Sequence, residues 1–102
     1  MRLRVKFGFW LFRLPGMRRW NGITLYPWIL LRPRRREASE RLLRHEYQHV
    51  LQIDRMGWLP FYVTWLWQRL TKGYRAAPLE VEARAFENEP LTKAQRERMG
   101  LA

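Results

Sequence analysis

Cysteine is absent from the 102 residues. Disulfides and thiolate metal sites are therefore excluded, and any bound metal must rely on histidine and carboxylate. Aspartate occurs once, at Asp54, and histidine only at His45 and His49. Acidic residues are scarce: nine Asp and Glu face twenty Lys and Arg, a formal net charge of +11. Such a balance favours nucleic acid, an anionic membrane surface or an acidic substrate as partner. No apolar run reaches the roughly 18 residues of a membrane span. The basic and apolar start, Met1 to Phe12, lacks the small-residue cleavage site of a secretory signal. The expected location is cytoplasmic, with membrane-peripheral contact as the further option. Internal repeats and low-complexity segments are also missing. What is present is apolar: 47% hydrophobic and 15% aromatic residues. That is enough for a core, and the length suits one domain over residues 1–102.

Both histidines fall within His45-Glu46-Tyr47-Gln48-His49, an H-E-x-x-H pattern. On a helix, residues four apart lie one turn above each other. Two imidazoles so placed can point at one metal ion, with Glu46 at its edge as a proton acceptor for a water. The flanking residues support a helix over 37–56. Leu42, Leu43, Tyr47, Val50, Leu51 and Met56 form an apolar stripe. Ser39 suits an N-cap, Glu37 and Glu40 suit the positive helix end, and Gly57 suits the stop.

Before this helix, Leu3, Val5 and Phe7 alternate with Arg2, Arg4 and Lys6, so residues 2–12 read as a strand. Residues 23–31 form a second candidate, where Pro27 implies an edge, a bulge or two short pieces. Asn21-Gly22 suits a tight reversal, giving a β-hairpin within residues 1–31. The Arg34-Arg35-Arg36 run reads as a phosphate patch or, more simply, a solvated linker. After the motif, residues 58–72 form a Trp-rich helix. It suits a core helix, a wall beside the substrate or a partner, or a membrane-surface helix. Tyr74 follows in a loop. A helix over 78–89 starts at Pro78. Thr92 and Gln95 have the form of a capping box for a short helix over 92–99.

The third metal donor must be a carboxylate, and Glu80 and Glu82 lie together downstream. Residues two apart point about 200° apart on a helix, so one of the two faces the metal. Ala83 and Glu87 share the Glu80 side.

His45-Glu46-Tyr47-Gln48-His49 followed by Glu80-Val81-Glu82-Ala83-Arg84 resembles the gluzincin metallopeptidases, and in size the single-domain minigluzincins. The resemblance spans residues 37–89. It implies an α+β, zincin-like domain: an antiparallel hairpin or short sheet, then three to four helices. It implies Zn²⁺ held by His45, His49 and Glu80, with Glu82 the alternative ligand. Ala83 takes the family's small-residue place. Arg84 stands where the family often carries an Asp that orients a ligand histidine, and Asp54 is the candidate substitute.

The implied activity is hydrolysis of a peptide or protein substrate laid along a sheet edge. Glu46 would act as general base, with Tyr74 donating to the oxyanion and Tyr62 or Arg84 as alternatives. In so small a domain, the Leu91–Ala102 tail is expected to fold across the site and keep it latent. A different class remains open: a basic module binding nucleic acid or membrane, with a structural or vestigial zinc.

Overall fold

A computed structural model describes residues 2–101. The chain is α+β: β1 (Arg4–Lys6), a 3₁₀ turn (Trp10–Arg13), β2 (Gly22–Leu25), β3 (Trp28–Leu31), α1 (Glu40–Met56), α2 (Trp58–Ala76), α3 (Pro78–Phe86) and α4 (Lys93–Arg98). The strand order is β1-β3-β2. β2 runs antiparallel to β3, whereas β1 runs parallel to it. The sheet is therefore mixed, and β2 is the edge that lies against α1.

The N-terminal third departs from expectation in two places. The first strand stops at Lys6, and residues 10–13 wind into a 3₁₀ turn. Gly8 adopts φ 57°, which interrupts the extended run; this left-handed conformation suits glycine. The hairpin reverses at Tyr26-Pro27, through a cis peptide, and not at Asn21-Gly22. Asn21 instead continues the ladder, its carbonyl accepting from Arg32 N–H at 2.8 Å. Pro27 thus divides residues 23–31 into two short strands.

The helices follow local signals more closely. Ser39 caps α1 by accepting from Leu42 N–H at 3.1 Å, and Gly57, at φ 87°, ends it. Pro78 opens α3 in its first turn. Thr92 and Gln95 complete the capping box of α4. α2 continues past residue 72: Gly73, at φ 76°, kinks it, and the last turn carries Tyr74. α2 is not a core helix, since Phe61 is its one buried residue. Among the described residues, no helix is long and apolar enough to cross a membrane. Arg34, Arg35 and Arg36 are exposed beside a turn, with Arg35 over the Phe7 ring.

The main core joins Leu3, Ile29 and Leu31 of the sheet region, Leu43, Tyr47 and Val50 of α1, and Leu91 and Met99 of the tail. This corrects the expected position of the tail. Its apolar residues are taken up by the core, and none of residues 91–101 lines the cavity described below. Ala102 lies outside the described residues. Polar contacts also fix α4, among them the Arg96–Glu40 ion pair at 3.0 Å. Leu3 N–H donates to Arg98 carbonyl at 2.9 Å, and Arg98 pairs with Asp54 at 2.7 Å.

The hydrogen bond and charge of Arg98, with a bond from Tyr26, hold the Asp54 carboxyl below its usual pKa despite partial burial. Its stabilising effect is therefore complete above the unfolded aspartate value, about 3.9. It is lost as pH falls through the lower folded value. Below pH ~4, amide exchange in α4 is expected to rise before that in α1; equal rises in the Asp54→Asn variant and the wild type would show that the pair contributes nothing.

Candidate metal centre

α1 carries an unusual burden: Leu43 through Val50 are all buried, including Arg44, His45, Glu46, Gln48 and His49. Buried polar groups require partners, and α3 supplies most of them. His45 Nε2 lies 3.2 Å from Glu80 Oε2, and His49 Nε2 lies 3.1 Å from Glu80 Oε1. One donor atom from each of these three side chains falls within 4.8 Å of the others. Trp65 on α2 donates its indole N–H to Glu80 at 3.1 Å and fixes the carboxylate's orientation.

The outer imidazole nitrogens are also held. His45 Nδ1 meets Glu87 Oε2 at 2.9 Å, and His49 Nδ1 meets Gln52 Oε1 at 2.9 Å. An ionised Glu87 only accepts. The Gln52 amide nitrogen already donates to Leu79 carbonyl and Glu82, leaving its oxygen as acceptor. Both Nδ1 atoms are therefore assigned a proton, and both Nε2 atoms point inward, the arrangement that orients histidine ligands.

The electrostatics agree with that assignment. Burial alone would lower the His45 and His49 pKa values, but Glu80 and Glu46 outweigh it, raising His45 and taking His49 to about 9. Burial opposes ionisation of Glu80, yet its bonds to both histidines hold it well below the usual carboxylate range. Each Nε2 thus needs its own proton to meet Glu80. A divalent ion replaces those two inner protons with equal charge, so the donor set fits a metal that accepts imidazole and carboxylate.

Glu46 lies beside this group and faces β2. Thr24 hydroxyl hydrogen-bonds Glu46 Oε1 at 3.0 Å. Burial raises the Glu46 pKa, against the opposing pull of both histidines and Thr24. Gly22 makes the approach of β2 possible: an added Cβ would stand 2.9 Å from Leu31 Cδ2 and 3.3 Å from Glu46 Cδ.

The site opens into a cavity of about 730 Å³, reached by β2, Phe61, Tyr62, Trp65, Arg69, Tyr74, Arg84 and Glu87. Tyr74 lines it from beyond the Gly73 kink, and burial followed by Glu80 and Glu46 pushes its hydroxyl to about 12. Tyr62 also lines the cavity. Its hydroxyl is already engaged, donating to Thr24 carbonyl at 2.9 Å and accepting from Tyr26 N–H at 3.0 Å. The Arg69 guanidinium is stacked over Trp20 at 4.1 Å and also contacts Trp65 and Tyr74. Its Nη1 is the one buried side-chain polar atom without a hydrogen-bond partner among the described residues; the ring faces provide the compensating attraction.

Two expected roles move to other residues. Asp54 does not orient a histidine: it lies about 140° round α1 from His49, where Arg98 and Tyr26 engage it. Glu82 is outside the histidine group. It accepts from Gln48 and Gln52 and lies 3.6 Å from Arg55. Glu87, one turn beyond Arg84, and Gln52 are the residues that orient the two rings. The signals for them were present: Glu87 is seven residues beyond Glu80 on the same helix side, and Gln52 is three beyond His49.

Compared with known proteins, the chain matches no family model, no curated protein and no solved structure.

Zinc titration followed by elemental analysis is expected to give one ion per chain. His49→Ala and Glu80→Ala should lose it, Glu82→Ala should retain it, and Glu87→Gln should weaken affinity about 10–100-fold. Retention by His49→Ala and Glu80→Ala would remove the proposed centre. Separately, Gly22→Ala should destabilise the chain by about 1–3 kcal/mol through crowding, read as a lower denaturant midpoint; an unchanged midpoint would mean that β2 and Glu46 are not tightly apposed.

Proposed function

We propose that this chain is a zinc-dependent metallopeptidase of gluzincin type. The observation that carries the reading is the convergence of His45, His49 and Glu80 on one point, with buried Glu46 beside them under Thr24. A zinc ion held by the three donors would supply the positive charge that acidifies a water and polarises a peptide carbonyl.

The protein groups divide the remaining work. Glu87 and Gln52 keep both Nε2 atoms inward, and Trp65 keeps the Glu80 carboxylate between them. Glu46 accepts the proton of the attacking water and passes it to the leaving amine. A raised carboxyl pKa suits both transfers, because the base must also give the proton back. Tyr74 remains protonated across the physiological range and is the donor for the developing oxyanion. The outward backbone groups of β2 belong to Gly22 and Thr24, by alternation along an antiparallel ladder. An extended peptide can add to that edge by strand pairing. Tyr62 already occupies the Thr24 carbonyl, so pairing falls chiefly to the remaining groups.

Glu46→Gln is expected to retain zinc while hydrolysis of a fluorogenic peptide library falls about 10²–10⁴-fold. Zinc retention with no cleavage by the wild type would assign the ion a structural role. Undiminished cleavage by Glu46→Gln would exclude Glu46 as the base.

A further inference from the structure

α2 has two unlike faces. Phe61 is buried, while Trp65 and Gln68 turn toward the metal centre: Trp65 bonds Glu80, and Gln68 accepts from Leu79 N–H at 2.9 Å. The opposite face carries Leu59, Val63, Leu66 and Leu70 at i, i+4, i+7 and i+11, with Trp67 beside them. All five are exposed, Val63 at 61%, Trp67 at 67% and Leu70 at 75%. Trp58 extends the surface at the helix start. With standard side-chain areas, this continuous apolar strip amounts to roughly 700 Å², above the largest patch of a typical monomer.

Its charge setting narrows the choice of occupant. No Asp or Glu occurs from Arg55 to Leu79, whereas Lys72 and Arg75 are exposed at the far end of the helix. The chain as a whole carries +11. Two copies brought together through this face would each carry a +11 chain, so their net charges oppose the association. An anionic lipid surface satisfies both features: acyl chains accept the leucines, and headgroups attract the net positive charge of a chain with no acid along this helix. Trp58 and Trp67 also suit the boundary between the two regions.

We propose that the outer face of α2 docks the protein on anionic membrane surfaces, lying in the interface without crossing it. The surface is separate from the metal centre, and its function does not depend on peptidase activity.

Co-sedimentation with phosphatidylcholine vesicles, with and without phosphatidylglycerol, tests the proposal. The full chain should bind the anionic vesicles, and high salt should release it. A Leu66→Gln/Leu70→Gln variant removes apolar groups without changing charge, and its folding can be verified by circular dichroism. It should partition at least about tenfold more weakly. Equal binding by this variant would assign attachment to basic charge elsewhere and overturn the proposal. So would binding to phosphatidylcholine alone as tight as to the anionic mixture, or no vesicle binding by the full chain. A dimer in sedimentation equilibrium that the variant abolishes, without vesicle binding by the full chain, would assign the face to a second copy.

Discussion

The arrangement depends on how α1 is buried. Eight consecutive residues, Leu43 to Val50, are out of solvent, so the helix has no water-facing side over two turns. Its apolar side meets the sheet and tail through Leu43, Tyr47 and Val50. Its polar side carries His45, Gln48, His49 and Gln52, and unpaired burial of such groups is costly. α3 answers with Glu80 and Glu82, and Glu87 follows at its end. One short helix thus resolves most of the polar problem created by the longer one. The convergence of His45, His49 and Glu80 is part of that solution.

The carboxylates of Glu80 and Glu87, bonded to the two imidazoles, would also tie metal occupancy to stability. Without an ion, the histidines must hold additional protons to meet Glu80. A divalent ion supplies the same charge at one fixed position. Binding of a metal at these donors would therefore be linked to the docking of α3 on α1. Trp65 extends the link to α2, and Thr24 extends it to β2 through Glu46. The open cavity beside these groups is bounded by elements that each have a polar contact with the centre.

The legible parts of the sequence were those in which local geometry decides direction. Four-residue spacing places His45 and His49 together on any regular helix, and the offset between Glu80 and Glu82 separates their roles. Ser39, Pro78, Thr92 and Gln95 act within one turn of their own positions, so the helix starts could be read. The hairpin reversal was less legible because two turn signals competed. Pairing of β2 with β3 keeps Asn21-Gly22 in the strand region and gives the reversal to Tyr26-Pro27. The orienting role of Glu87 was not legible because the family resemblance points to position 84, one turn earlier, where Arg84 stands. The exposed side of α2 could not be distinguished by composition, since apolar residues occupy both faces. Only packing separates Phe61 from Val63 and Leu66. The tail's place likewise rests on long-range packing of Leu91 and Met99, which no local pattern encodes.

Ala83 gives the interface a further constraint. It is fully buried, one turn beyond Glu80, and belongs to the helix packed against α1. A methyl group is the whole side chain at this point, so it acts as a spacer between two backbones. A β-branched or longer residue would have to wedge the helices apart, because buried surroundings yield little. The separation would be transmitted to Glu80, whose oxygens now bridge two imidazoles. An apolar residue that binds nothing therefore helps calibrate the aperture of the donor set.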